Sequence, residues 1–269
     1  MDRLHLLLVG VDGLRLDLAT RARAPHLHAL LARGAETRMT MPVPTISGPG
    51  WATLLTGASH EEHGVVDNRF VGSRLASFPD LLSRAVFADP SRTTFAAAAW
   101  PPLVDPAGVG PIIHTRDEQR RAERHRVVVR DGETYGYRTT DAEIADFAVA
   151  GLHAAGPDVS FVYFSGADEA AHVYGAVSRP YVEAVGRIDV HLGRLLAVVD
   201  RRAREGEPWL VAVTTDHGHL DGGGHGGGEP EVVASFVARA AWNTALDEWP
   251  AEMPPTELTP RLLAALARG

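Results

Sequence analysis

Aspartate and histidine gather in a few short segments of this 269-residue chain, at spacings suited to metal chemistry. The richest is Val213-Thr-Thr-Asp216-His217-Gly-His219, followed closely by Gly222-Gly-Gly-His225-Gly-Gly-Gly. Two further segments lie upstream, Asp168-Glu-Ala-Ala-His172 and Val9-Gly-Val-Asp12-Gly. Carboxylate oxygens and imidazole nitrogens suit divalent zinc, manganese or iron, and the chain has no cysteine to supply thiolates. Taken singly, each segment has an ordinary reading: a capping Asp with a surface His, an Asp-His turn, an Asp-Gly turn, an incidental His in a glycine loop. Taken together, at the ends of apolar runs, they point to one composite site for divalent cations. Glycines around His225 would let the backbone approach such a site closely.

A site holding two cations about 4 Å apart needs an oxygen nucleophile to act on phosphorus. Ser47, in Ser47-Gly-Pro49-Gly-Trp51, is the candidate, because it opens a short helix where backbone amides and the helix dipole favour anions. The competing role for Ser47, and for Thr45, is a helix cap. Thr53 and Thr56 read as helix-face residues. Asn68, in His63-Gly-Val-Val-Asp67-Asn68, either donates its amide to a phosphoryl oxygen or closes a turn. His219 is expected beside the ligands, supporting them. His26, His28, His63, His114 and His191 read as structural. Trp51, Phe70 and Tyr174 either line a pocket for a base or aryl group or pack in the core.

Elements to carry these residues follow from periodicity. Residues 4–10 form an apolar run ending at Asp12-Gly13, the mark of a buried parallel strand. Residues 93–100, 159–164 and 209–214 read as further strands, with a late one at 232–237. Helices are expected at 25–33, from Pro49 onward, at 79–86, 141–155, 181–203 and 260–267. This alternation predicts an α/β fold, a mostly parallel central sheet with helices on both faces, where ligands collect beyond the carboxyl ends of strands. One catalytic domain spanning residues 1–269 is expected. Residues 101–138 are the least regular and read as a small insertion or cap, with a hairpin turning at Asp131-Gly132.

Composition bounds the function. Hydrophobic residues make up 45% and charged residues 22%, ordinary for a globular domain. A net charge of −8 gives no bulk attraction for a nucleic-acid polymer. Every basic residue is arginine, which reads as compositional bias. The N-terminal apolar run is too short for a signal peptide and no stretch reaches the ~18 apolar residues of a membrane span, so a cytoplasmic protein is expected.

The ordered set Val11-Asp12-Gly13, Thr45 to Gly57, His63 to Asn68, Asp168 to His172, Thr215 to His219 and Gly224-His225-Gly226 resembles the alkaline phosphatase superfamily, specifically its type I phosphodiesterase/nucleotide pyrophosphatase branch. The resemblance covers most of the chain. It implies one cation on Asp168, His172 and His225, and a second on Asp12, Asp216 and His217, with Ser47 bridging to phosphorus. It further implies Asn68 against a non-bridging oxygen, and zinc as the usual metal, with manganese or iron as substitutes. The activity so implied is hydrolysis of a phosphodiester or pyrophosphate bond in a small phosphoester such as a nucleotide, through a phosphoseryl intermediate. Phosphomonoester or phosphonate hydrolysis is the alternative, and a non-catalytic metal-binding module is a third reading. Branch members often carry threonine where this chain has Ser47. Sulfatases modify a residue followed by a nearby arginine, and Gly50-Trp51 stand there instead.

Overall fold

A computed structural model describes residues 3–20 and 22–268. Its centre is a seven-stranded sheet formed by β1 (His5–Val11), β2 (Ala35–Thr40), β3 (Thr94–Ala98), β4 (His125–Val129), β5 (Val159–Phe164), β6 (Trp209–Thr214) and β7 (Ala234–Trp242), in the order β2-β7-β6-β1-β5-β3-β4. Pairings β6-β1, β1-β5, β5-β3 and β3-β4 are parallel, whereas β7 runs antiparallel to both β6 and β2. The fold is therefore α/β with a mixed, mostly parallel sheet.

β3, β5 and β6 are buried at every position, and so is β1 from Leu6 to Val11. Burial on both faces of the pleat requires cover on both sides, which explains why these strands are nearly continuous apolar runs. Cover comes from helices Pro25–Arg33, Tyr137–Ala155 and Arg179–Arg204, which pack together, and from Ser47–Thr56, Leu81–Ala88 and Leu258–Arg268, which form a second group. The expected strands and helices are present with small shifts of their ends.

Two features depart from the expectation. Residues 127–137 do not form a hairpin. Val127–Val129 pair in parallel with β3 as part of β4, the sheet's edge strand. The Asp131 side chain instead accepts from Thr134 N at 3.0 Å and caps a helical turn, Gly132–Tyr135. An Asx cap and a hairpin turn draw on the same residues, Asp and Gly, so the dipeptide alone does not choose between them. β2 was not anticipated. Its side chains alternate exposed and buried at the sheet's other edge, and its three exposed residues, Glu36, Arg38 and Thr40, are all polar or charged.

This order places the chemistry. β1 lies between β5 and β6, and the three strands run the same way. Asp12 follows β1, Asp168 follows β5 by one helical turn, and Asp216 follows β6. Three neighbouring parallel strands thus deliver three carboxylates to one edge. No described helix is long and apolar enough to cross a membrane.

Candidate metal centre

Asp12 is buried, and one of its oxygens is fixed from behind. Trp51 Nε1 donates to Oδ2 at 2.9 Å and the Tyr163 hydroxyl donates to the same oxygen at 2.5 Å. Trp51 fits there because Gly10 lacks a side chain: a Cβ on Gly10 would sit 2.5 Å from the Trp51 ring. Oδ1 of Asp12 is left facing Ser47 Oγ at 3.5 Å and His217 Nε2 at 3.5 Å. Tyr181 steadies the following turn, accepting from Arg15 N and donating to the Gly13 carbonyl.

Asp216 and His217 enter from the end of β6, both fully buried. His217 Nδ1 is 3.0 Å from the Gly218 carbonyl, so it carries the proton and Nε2 presents its lone pair. That nitrogen lies 3.2 Å from Asp216 Oδ2 and 3.4 Å from Ser47 Oγ. Asp216 Oδ2 is a buried anionic oxygen without a hydrogen-bond donor. Such an atom is costly unless a cation meets it.

Asp168 and His172 sit on the helix Gly166–Tyr174, whose first amides are capped from another helix: Asp141 accepts from Ser165 N at 3.2 Å and Gly166 N at 2.8 Å. One turn of helix brings His172 Nε2 to 3.5 Å from Asp168 Oδ2. His225 reaches in from the glycine loop, its Nε2 lying 3.0 Å from His172 Nε2 and 3.7 Å from Asp168 Oδ1. Its orientation is set by Thr45. His225 Nδ1 donates to the Thr45 carbonyl at 2.7 Å, Gly226 N donates to Thr45 Oγ1 at 3.0 Å, and that hydroxyl donates to the Gly227 carbonyl at 2.8 Å. Thr45 is thus a clamp between the segment leading to Ser47 and the His225 loop, and it caps no helix.

By mutual distance, donor atoms of Asp12, Asp216 and His217 form one group within 4.8 Å, and those of Asp168, His217, His219 and His225 form another. His219 Nε2 is 2.7 Å from Asp168 Oδ1, while its Nδ1 is buried and unpartnered. The His217 and His225 rings stack with centroids 3.8 Å apart, bringing the two groups side by side. The expected residues lie side by side in this cluster, although the second group by mutual distance contains His219, expected only as a support, and not His172, which lies beside it 3.0 Å from His225. The donor set of three carboxylates and neutral imidazoles fits divalent cations such as zinc.

Charge in this cluster is badly placed without cations. Burial, then the Asp168 charge, pushes Asp12 up to about 6, and burial pushes Asp168 to about 6. Asp216 rises well above the carboxylate range for burial first and then for the Asp12 and Asp168 charges. Burial lowers His172 and His225 and takes His217 far down, which keeps the imidazoles in the neutral form that ligates.

Ser47 opens the helix Ser47–Thr56 and is 7% exposed. The expected row of free helix-start amides is shorter than the sequence suggested, because Pro49 has no N–H and Gly48 N donates to Asn68 Oδ1 at 2.8 Å. That bond engages the Asn68 amide oxygen, so only its NH2 remains for another partner. Two of the three pocket residues are corrected. Trp51 is fully buried and serves Asp12, and Phe70 is 7% exposed and packs against Trp100, because large rings beside the sheet bury more area than the mouth offers. Tyr174 is exposed at the end of the His172 helix. Trp51, Tyr163 and Thr45 are the supporting residues that sequence reasoning missed, since aromatic residues near strands and a threonine before a helix carry no distinguishing signal.

The type I phosphodiesterase/nucleotide pyrophosphatase family matches residues 6–261, and the chain belongs to that family, within the alkaline phosphatase superfamily. Ectonucleotide pyrophosphatase/phosphodiesterase family member 7 of Rattus norvegicus is 26% identical over 220 residues, 79% of this chain and 49% of the relative, so the chain spans about half the rat protein's length. Murine ectonucleotide pyrophosphatase/phosphodiesterase 5 superposes with a TM-score of 0.70 at 16% identity, covering 98% of this chain and 95% of that one. The phosphonoacetate hydrolase of Sinorhizobium meliloti superposes at 0.59 with 18% identity, over 81% of this chain and 57% of its own.

Proposed function

We propose that the chain is a two-metal phosphodiesterase or nucleotide pyrophosphatase acting through a phosphoseryl intermediate on Ser47. The observation that carries the reading is the Ser47 hydroxyl, 3.5 Å from Asp12 Oδ1 and 3.4 Å from His217 Nε2, facing both donor groups from the start of a buried helix. Asp168, His172 and His225 would hold one cation, and Asp12, Asp216 and His217, with Ser47, the other. Such cations neutralise phosphoryl oxygens and make bound hydroxyls acidic near neutral pH, with zinc the favoured metal and manganese or iron as substitutes. Ser47 Oγ attacks phosphorus in line, the ester oxygen leaves, and water then releases the phosphoryl group from Ser47. Asn68 Nδ2 and the Ser47 amide are the donors for the equatorial oxygens. A variant of the murine member 5 described as inactive has been solved in complex with AMP, which supports a small phosphoester, and a nucleotide in particular, as the substrate here.

His219 acts through Asp168 in this reading. A carboxylate 2.7 Å from Nε2 holds the proton on that nitrogen. Ligation through Nε2 would move it to Nδ1, a buried position with no acceptor, at a cost of about 1–3 kcal/mol. Residues 1–269 act as one catalytic unit, with the parts of 101–138 outside β4 as its cap.

Initial rates on a diester, a monoester, a phosphonate monoester and a sulfate ester test the reading, with Ser47→Ala as control. The diester should turn over fastest, and Ser47→Ala should lose at least ~10³-fold in kcat while keeping its metal. A preference for the monoester or phosphonate would reassign the substrate, and full activity in Ser47→Ala would remove the covalent step.

A further inference from the structure

The opposite end of the sheet carries a second built feature. A cavity of about 210 Å³ lies where Leu4 and Leu210 enter β1 and β6, bounded by the loop through Leu246 and Trp249 and by Ala265 of the C-terminal helix. These strands carry Asp12 and Asp216 at their other ends, so the cavity is remote from the metal centre. Arg239, on β7 opposite Ala212, lines it and is 1% exposed.

The Arg239 guanidinium is held flat, its carbon 3.9 Å above the Trp249 ring centroid, and Nη1 donates to the Asp247 carbonyl at 2.9 Å. Nε is buried without a partner. No carboxylate among the described residues pairs with this arginine, since Asp247 turns its carboxylate to Arg268. Burial lowers its pKa to about 10, which leaves it charged at neutral pH. A buried guanidinium without a carboxylate partner is poorly compensated, and a cavity beside it admits the missing anion. A planar fork matches a carboxylate through two parallel N–H bonds.

We propose that this cavity binds a small organic carboxylate, its anionic end on Arg239 and its apolar body against Leu4, Leu210 and Leu246. The apolar walls favour an organic body over inorganic phosphate, and the nearby Asp247 charge disfavours a dianion.

Calorimetric titration of the metal-loaded protein with butyrate, benzoate and inorganic phosphate tests this, beside Arg239→Met and Ala265→Leu. The first variant removes the charge at similar volume and the second fills the cavity. A carboxylate should bind saturably with a Kd of about 1 mM or tighter, and both variants should weaken it at least ~10-fold with turnover unchanged. Equal binding in all three proteins would place the carboxylate at the metal centre and overturn the proposal. So would binding of phosphate alone, or no saturable binding. Should Arg239→Met fail to fold, Ala265→Leu gives the same discrimination. Because turnover is read separately, a failure of the phosphodiesterase reading leaves this result interpretable.

Discussion

Thr45 makes three hydrogen bonds that fix the His225 ring and its loop, and none touches the reacting atoms. Its carbonyl selects the His225 tautomer, and its hydroxyl holds the glycine loop, which has little else to order it. Supporting bonds of this kind typically govern metal affinity by 10–100-fold. Thr45→Val should therefore weaken one cation by about that factor, seen in a chelator competition, while Thr45→Ser keeps wild-type affinity. Equal affinity in both variants would show that the loop needs no clamp. His219→Ala should also weaken that cation, by ~10-fold, yet leave the metal count per chain unchanged. Loss of one metal from the purified variant would make His219 a ligand. The clustered Asp and His residues themselves were legible in the sequence, because Asp and His after apolar runs stand out. Their supports were not: Trp51 and Tyr163 look like core aromatics, and only the fold brings both onto one oxygen of Asp12.

Helix Ser47–Thr56 and the segment leading to Asn68 are joined by His63, which is fully buried. Val65 N donates to Nδ1 at 3.0 Å, so the proton lies on Nε2, 3.0 Å from Thr53 Oγ1. Burial, helped by the His60 and Arg74 charges, lowers His63 to about 4 from an ordinary value of 6.5. The native state thus binds this proton less readily than the unfolded chain. Its contribution is complete above pH 6.5 and falls as pH drops towards 4, by roughly 3 kcal/mol in all. Urea midpoints measured between pH 4 and 6.5 should fall less steeply in His63→Gln than in the wild type, and parallel slopes would contradict this. At this scale the sequence reveals strands that are buried on both faces, since their apolar runs are continuous. It conceals the edges: β2 mixes polar and apolar residues, and β4 opens on His125-Arg126 and is only partly buried. The Asp131-Gly132 step was misread because its side-chain cap depends on Thr134, three residues on.

Three carboxylates, Asp12, Asp168 and Asp216, repel one another within one cluster at the ends of β1, β5 and β6, and cations would reverse that repulsion. Metal removal should consequently lower Tm. At a metal concentration near 1,000 Kd the difference amounts to about 4 kcal/mol, and re-addition of zinc should restore it. A chelator-treated protein with unchanged Tm would argue against native-state metal binding. Acidification should release metal as well, because Asp12 and Asp168 take protons near pH 6 in the metal-free state.

The account depends on two cations sharing the space between Ser47, Asp12, Asp168 and His225. Anomalous diffraction from crystals grown with zinc would locate them directly. Two peaks about 4 Å apart are predicted, one beside Asp168, His172 and His225 and one beside Asp12, Asp216, His217 and Ser47. A single peak, or none within reach of Ser47 Oγ, would contradict it.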